Sequence, residues 1–142
     1  MSKASDLARL MTSGSTAIHG EAGVTASGST GLTTNLQQGL AKQWISLNGD
    51  GTAAIIDSFN TTSITDNGTG EYSVTIANDM SNANYSLAGI AGDGTSSFNR
   101  GLSTGYGTAP TSTLYTLIGI TSSSGSRTDC AYVSCQLNGD LA

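Results

Sequence analysis

The sequence predicts an all-β fold: an antiparallel β-sandwich or barrel-like domain preceded by an extended N-terminal arm with little regular structure. Three observations indicate this class. Ser, Thr, Gly and Asn make up about half of the 142 residues, which supplies small polar strand residues and turn residues. Only 11% of the residues are charged, and proline occurs once. Beyond Lys42, six or seven short segments of alternating polarity are separated by turn signals, as in sandwiches and barrels.

The predicted strands follow one another from Trp44 onward. Trp44–Leu47 and Thr52–Phe59 are joined by Asn48–Gly51, whose Asn-Gly and Asp-Gly pairs supply the positive φ values that tight hairpin turns need. The most regular alternation is in Glu71–Ala77, which predicts a half-buried antiparallel strand. Its buried face would carry Tyr72, Val74 and Ile76. The other predicted strands are Tyr85–Ala91, Thr113–Ile120 and Asp129–Leu137, with a short extended piece at Ser63–Thr65 closed by turn residues 66–70.

The segment from Gly92 to Pro110 is predicted to be a long irregular loop. It is rich in glycine and polar residues and contains Phe98, Arg100 and Tyr106. Loops of this length usually form binding surfaces or pack against a neighbouring subunit. The loop is therefore a candidate contact surface.

Two regions are predicted along the chain, a docking arm or linker over residues 1–41 and a β-domain over residues 42–142. Leu7, Leu10 and Met11 would lie on one face of a capped helical turn near the start of the arm. Such a turn is too short to be stable alone in water, so it would need a partner to pack against. These three residues are the predicted docking residues.

The rest of the arm is rich in Gly, Ser and Thr. Thr12–Thr16 recurs in similar form as Ala26–Thr30, fourteen residues later. With few large side chains, this stretch cannot form its own core, so it is either a flexible linker or an extended segment lying on another chain. Leu32, Leu36 and Leu40, spaced by four, predict one further helical turn.

Charge and hydropathy exclude several classes of function. The formal net charge is −5, and so few cations can neutralise little phosphate, which argues against nucleic-acid partners. No apolar run approaches the 18 or more residues of a membrane span, so no membrane insertion is expected. The opening residues lack the apolar core of a signal peptide, so secretion by that route is not expected.

Catalysis is not expected from the titratable residues. His19 is the only histidine and lies in the glycine-rich arm, with no nucleophile motif elsewhere in the chain. A glycosidase needs two carboxylates about 5 to 10 Å apart in different environments, and Asp57 and Glu71 are the pair that could be tested for this. The sequence predicts a protein that is not an enzyme and needs no cofactor.

Calcium binding is an alternative for the two Gly-Asp-Gly-Thr stretches. Asn48–Gly51 is followed by Asp57 at about the spacing of the last ligand in an EF-hand loop, but the first ligand position is Ser46 and the final Glu is missing. The second stretch is at residues 91–95. Hairpin turns explain both stretches without a metal ion.

The two cysteines and the tryptophan are predicted to have structural roles. Cys130 and Cys135 lie five apart in one predicted strand, which would place them on opposite faces and about 17 Å from each other. A disulfide needs Cα atoms within about 7 Å, so both are predicted to be free, buried thiols. Trp44 is predicted to be an anchor in the core or at a subunit interface.

The order of several short motifs resembles a known β-domain. The motifs are Ala41–Trp44, Asn48-Gly49, Gly51-Thr52, Ile55, Asp57–Asn60, Ser63–Gly70, Tyr72, Val74, Met80–Tyr85, Ala131–Ser134 and Asn138–Asp140. In this order they resemble the β-domain at the C-terminal ends of tail-fibre and other virion proteins of tailed bacteriophages. The similarity covers residues 41 to 90 well and the end of the chain loosely. Its most specific part is the run Ser63–Gly70.

The resemblance implies a non-enzymatic virion component, commonly a homotrimer displayed on the particle surface. Such domains usually end long fibre chains, whereas here only about 40 residues precede the domain. We therefore expect a small capsid decoration (cement) protein or a short head fibre, attached through its N-terminal arm to other virion proteins such as the major capsid or tail protein. It would be made in the cytoplasm of the bacterial host. The alternative is the receptor-binding tip of a phage tail fibre, with a host cell-surface glycan as a further partner.

Overall fold

The structure is a computed structural model that describes residues 23–25, 33–35, 40–94, 99–105 and 107–142. The chain divides into two compact units, Met1–Gln37 and Gln38–Ala142. The described residues form ten strands and no helix, so the fold is all-β as predicted. The strands are β1 (Gly23–Thr25), β2 (Thr33–Asn35), β3 (Gln43–Asn48), β4 (Ala54–Phe59), β5 (Thr61–Gly68), β6 (Glu71–Ile76), β7 (Ser86–Gly92), β8 (Arg100–Thr104), β9 (Leu114–Thr121) and β10 (Tyr132–Asn138).

The first unit contains a two-stranded antiparallel sheet. In it β1 pairs with β2, and Val24 lies opposite Thr34. The helical turn predicted through Leu32, Leu36 and Leu40 is wrong, because the residues between the first two leucines are extended in β2. The local sequence there is Thr-Thr-Asn, and β-branched threonines favour strands over helices.

The second unit is a sandwich of two four-stranded antiparallel sheets. The first sheet has the order β4-β3-β10-β7, and the second has the order β5-β6-β9-β8. The chain crosses between the sheets after β4, β6, β7 and β9, while β3–β4, β5–β6 and β8–β9 are neighbours within one sheet. Strands far apart in sequence therefore lie side by side, above all β3 and β10.

One apolar core fills the space between the two sheets. The first sheet contributes inward side chains from β3 and β10, and the second contributes them from β6 and β9. The buried face predicted for β6 is confirmed, since Tyr72, Val74 and Ile76 are all buried. Each such side chain contributes about 1.5–3 kcal/mol by leaving water. The buried apolar residues are Ile45, Leu47, Tyr72, Val74, Ile76, Met80, Tyr115, Leu117, Ile118, Cys130, Val133, Cys135 and Leu137.

The predicted β3–β4 hairpin is confirmed, with an irregularity that the alternation pattern did not show. The pairing register shifts between Ser46 and Leu47, so that Ile56 is the extra residue of a bulge. A bulge reverses the alternation that follows it, and Ile56 is exposed as a result. The hairpin loop contains Gly51 at a φ of 69°.

Two other predictions are corrected. The strand begun at Ser63 continues as β5 to Gly68, so only Thr69 and Gly70 form the tight turn that was predicted over residues 66–70. The segment from Gly92 to Pro110 is not a continuous loop, because β8 lies within it and pairs with β9. Leu102 is the central residue of β8 and its only large apolar one, and one such residue in five is too weak an alternation to predict a strand.

Candidate functional site: the outer face of the first sheet

Side-chain alternation gives the first sheet an outer face opposite the core. In β3, Ile45 and Leu47 point into the core, so Trp44 and Ser46 point outward. Residues that pair directly across an antiparallel sheet lie on the same face. Phe59 of β4 pairs with Trp44, and Asp57 pairs with Ser46, which extends this face onto the edge strand β4.

The same rule continues the outer face across β10 and β7. In β10, Val133, Cys135 and Leu137 are buried, so the residues between them point outward. Tyr132 and Ser134 are two of these outward residues. Ile90 of β7 pairs with Ser134, and it therefore also points outward.

Four large side chains make this outer face apolar. The exposed fraction is 74% for Ile90, 60% for Tyr132, 54% for Phe59 and 37% for Trp44. A single exposed apolar residue needs no explanation, but a contiguous group marks an interaction surface. We call the outward surface formed by Trp44, Phe59, Ile90 and Tyr132 the apolar face.

A shallow groove crosses the apolar face. It has a volume of about 470 Å³ and runs between Trp44 of β3 and Ile90 of β7. Ser46 and Ser134 line it between these two residues, and their hydroxyl groups lie 3.4 Å apart. The groove exists because two small side chains lie side by side on the central strands while larger ones flank them.

The apolar face carries little charge. In the four strands of the first sheet, all of which lie in the described part of the chain, Asp57 is the only charged residue. Its carboxylate Oδ1 accepts a hydrogen bond of 2.8 Å from the backbone N–H of Ser58. The surface therefore presents aromatic and aliphatic groups, two serine hydroxyls, the Gln136 amide and one carboxylate.

The four strands of the second sheet, all of them described, expose no large apolar side chain, because Leu114, Ile118 and Ile120, which point outward from β9, are buried or half-buried. Apart from Glu71, the sheet's paired outward residues on β5 and β6 are small and hydroxylated: Ser63, Thr65, Ser73 and Thr75. The Asn67 side-chain amide donates to Ser73 Oγ at 2.7 Å, and Arg127 forms an ion pair with Glu71. The two outer faces of the sandwich thus differ, and of the two sheets only the first exposes large apolar side chains on its strands.

The pair of carboxylates considered for glycoside hydrolysis is not brought together. Asp57 points outward from the first sheet, whereas Glu71 points outward from the second sheet, on the opposite side of the sandwich. Glu71 is also held by Arg127. The geometry that a two-carboxylate hydrolysis requires is therefore absent from this pair.

The two stretches considered for calcium are used as turns. Asn48 Oδ1 accepts a hydrogen bond of 2.9 Å from the N–H of Asp50, as in an Asx turn. Asp57, the possible last ligand, lies within β4 and not in the loop. In the second stretch, Asp93 forms an ion pair with Arg100. Among the described residues, no group of three or more His, Cys, Asp or Glu side chains is placed to hold a metal ion.

Both cysteines are free and buried, as predicted, but their placement differs from the prediction. Cys130 precedes β10 instead of lying in it, and both side chains enter the same core. The prediction of opposite faces is wrong because it assumed that the strand began at Asp129. Burial raises the pKa of the Cys135 thiol to about 11 and also raises the pKa of the Cys130 thiol. Both sulfurs therefore stay protonated at neutral pH.

Several predicted contact residues lie outside the described residues. These are Leu7, Leu10, Met11, Phe98 and Tyr106, and His19, which was considered for catalysis, also lies outside them. Arg100 is described, and its guanidinium donates to Thr121 Oγ1 at 3.3 Å. In the ranges that the structure covers, no helix is long and apolar enough to cross a membrane.

Sequence reasoning identified only part of the apolar face. Trp44 was expected in the core or at an interface; it is not in the core, and its role at an interface stays a prediction. Ile90 and Tyr132 were missed as surface residues. The signal was present, because both residues lie in predicted strands, where Ile90 alternates with Gly89 and Ala91 and Tyr132 alternates with Val133. What the sequence did not show is that their strands are joined to β3.

Comparisons of the chain with protein-family models, with curated proteins and with solved structures found no match.

Proposed function

We propose that this protein is a non-enzymatic structural component of a bacteriophage virion, a small capsid decoration protein or short head fibre. It is displayed on the particle surface as a homotrimer and is attached through its N-terminal arm, residues 1–41, to other virion proteins. The virion role itself derives from the motif order at residues 41–90. One structural observation supports the self-association that it includes: of the two sheets, only the first exposes large apolar side chains on its outer face.

The difference between the two outer faces fits a subunit that packs against another protein on one side and faces solvent on the other. Trp44 and Tyr132 belong to residue types that are enriched at protein interfaces, where their large rings are removed from water. On the opposite side, Ser63, Thr65 and Thr75 are hydroxylated, and the outward apolar residues of β9 are buried or half-buried. A displayed trimer needs both kinds of surface on each copy.

The first experiment is to label the protein in intact particles of the phage that encodes it, using antibodies and electron microscopy. Label distributed over the capsid supports a decoration protein or head fibre. Label confined to the tail tip supports the tail-fibre alternative. Particles that carry no label contradict the virion role.

The second experiment tests the arm. Deletion of residues 1–20 is expected to leave a folded β-domain that no longer joins particles, and replacement of Leu7 and Leu10 by Asp is expected to have the same effect. Replacement of Ser13 and Ser15 by Asp is the matched control, since it adds the same charge without removing an apolar side chain. Incorporation that is equal for all variants would contradict attachment through the arm.

The tail-fibre alternative has its own supporting observation. The rings of Trp44 and Tyr132 lie on one exposed sheet face together with the hydroxyls of Ser46 and Ser134, and flat aromatic surfaces with nearby polar groups suit saccharides. In this case the purified protein would bind susceptible cells and block phage adsorption. Replacement of Trp44 by Ala would abolish both effects.

A further inference from the structure

We infer that the apolar face of the first sheet is the surface through which copies of this chain associate. The inference rests on the self-association contained in the proposed function, and it adds the surface and the residues that make the contact. The occupant of the face is another copy of the same chain. Three properties of the face lead to this inference: its area, its shape and its charge.

The area of the apolar face fits a protein–protein contact. With side chains of about 150–250 Å² each, the exposed fractions of the four residues leave roughly 450 Å² of apolar surface. Interfaces are about 57–65% apolar, so this area corresponds to a contact of about 700–800 Å² on each partner. That is close to the roughly 800 Å² per partner of a standard stable interface. The face is thus large enough to hold two copies together.

The shape of the face is self-complementary. Ile90 projects from the edge strand β7, and beside it lies the groove over Ser46 and Ser134. The groove volume of about 470 Å³ exceeds that of an isoleucine side chain. Because a projection and a groove occur on the same surface, the projection of one copy can enter the groove of another, either mutually in a dimer or in one direction around a ring.

The low charge of the face allows two identical faces to come into contact. The formal net charge of the chain is −5, which disfavours contact between most parts of two identical surfaces. The four strands of the first sheet contribute only one of these charges, that of Asp57. A strongly charged partner of another kind would have almost no group of opposite charge to pair with on this face, whereas a second copy needs no such group because its own face is almost uncharged.

The two edge strands of the face indicate how three copies would form a closed ring. Phe59 lies on the edge strand β4 and Ile90 on the opposite edge strand β7, with two strands between them. Around a threefold axis, the β7 side of one copy would contact the β4 side of the next. Both edge residues are therefore interface residues in a trimer, where the apolar area is divided between two neighbours, whereas in a dimer of the two faces all of it lies in one contact.

The test is sedimentation equilibrium of the full chain at micromolar concentrations, with substitutions on the two outer faces. We expect the wild type to associate, and Ile90→Lys to raise the dissociation constant by about 100-fold or more, because it buries a charge in an apolar contact. Thr65→Lys is the matched control. It places the same side chain on the outer face of an edge strand in the second sheet, and it should change the constant by less than about 3-fold.

A second variant shows whether a loss of association comes from the contact itself or from misfolding. Phe59→Lys alters the opposite edge of the face and is expected to weaken association to a similar degree. Circular dichroism and thermal unfolding of both variants should show that the sandwich is retained, since both side chains are already exposed. Association that survives both substitutions would overturn the inference, even if the wild type is a trimer.

The remaining outcomes separate this inference from the proposed function. A wild type that is monomeric throughout the micromolar range overturns the inference, while its incorporation into particles would leave the virion role intact. A dimer that depends on Ile90 supports the inference and overturns the trimer. A monomer that binds a glycan through Trp44 overturns the inference in favour of a saccharide site.

Discussion

The hydroxyl group of Tyr72 donates a hydrogen bond of 2.8 Å to the backbone carbonyl of Gly49. Tyr72 belongs to β6 of the second sheet, and Gly49 directly follows β3 of the first, so this bond connects the two sheets across the core. The same hydroxyl lies 3.3 Å from Asp129 Oδ1, which also accepts the backbone N–H of Gly70 at 2.7 Å. Burial, and then the charge of Asp129, raise the pKa of Tyr72, so its hydroxyl remains a donor.

Tyr72→Phe is expected to destabilise the sandwich by about 1–3 kcal/mol, because it leaves a buried carbonyl without its donor. Chemical denaturation measures this. The matched control is Tyr85→Phe, since the Tyr85 hydroxyl donates to the backbone carbonyl of Thr111 near the surface, where water can replace it. A loss for Tyr72→Phe no larger than for the control would contradict a role for this bond between the sheets.

Gly49→Ala is expected to be at least as damaging, for a steric reason. A Cβ atom at this position would lie 2.2 Å from the Tyr72 hydroxyl oxygen and 2.4 Å from the adjacent ring carbon, so the ring would have to move in a full core. We expect a loss of about 1–3 kcal/mol in the free energy of unfolding. Combining Gly49→Ala with Tyr72→Phe should cost less than the sum of the two, because the clash is partly with the hydroxyl. Strict additivity would contradict the proposed contact.

Asn60 forms the corner at which the chain leaves the first sheet for the second. It has a φ of 55°, and its side-chain amide donates to the carbonyls of Lys42 and Asn78 at 2.9 and 3.1 Å. Its Oδ1 accepts the Asn78 backbone N–H at 2.7 Å. We expect Asn60→Ala to lose both the hydrogen bonds and the tolerance of a positive φ, and Asn60→Gly to lose only the first. In thermal unfolding, the free energy of unfolding of Asn60→Gly should therefore exceed that of Asn60→Ala by about 1 kcal/mol.

Stability is expected to fall in alkaline solution because of the buried thiols. Burial raises the pKa of Cys135 from 9.0 to about 11. The unfolded chain therefore releases this proton first, so the stabilisation is complete below about pH 9 and is lost as the pH rises toward 11. The shift corresponds to about 2–3 kcal/mol. Urea unfolding at about pH 8 and pH 10 should show a smaller loss for Cys135→Ala than for the wild type. Equal losses of stability in the two proteins would contradict the assignment of this pH dependence to the Cys135 thiol.

Asp57 is expected to weaken the association of copies. Asp57→Asn removes the only charge in the four strands of the first sheet and keeps the Oδ1 atom that accepts the Ser58 N–H. If copies meet through the apolar face, this change should lower the dissociation constant by about 2- to 10-fold, and more so at low salt. The control is Asp66→Asn, which makes the same change on the second sheet, where Asp66 Oδ1 accepts the Gly68 N–H. Identical effects of the two substitutions would contradict the location of the contact.

The sequence was informative wherever the structure depends on neighbouring residues. The alternation in Glu71–Ile76 identified the buried face of β6, and the Asn-Gly and Asp-Gly pairs identified the β3–β4 turn. It was uninformative wherever a strand is held mainly by its neighbour, as with β8, which contains one large apolar residue and owes its place to pairing with β9. Cys130 shows the same limit, since it is buried by the path of the chain into β10 and not by a strand pattern.

By itself, then, the sequence determined that this is an all-β protein with hairpins and a buried face on its best-patterned strands. These features depend on the two-residue period of a strand and on the φ values of turn residues, both of which are local. The tertiary structure alone decided which strands are adjacent. Placing β10 between β3 and β7 brings Trp44, Phe59, Ile90 and Tyr132 onto one outward surface, although they are scattered over 89 positions of the chain. The apolar face is a product of that strand order, because side chains from separate strands share a surface only when the strands pair.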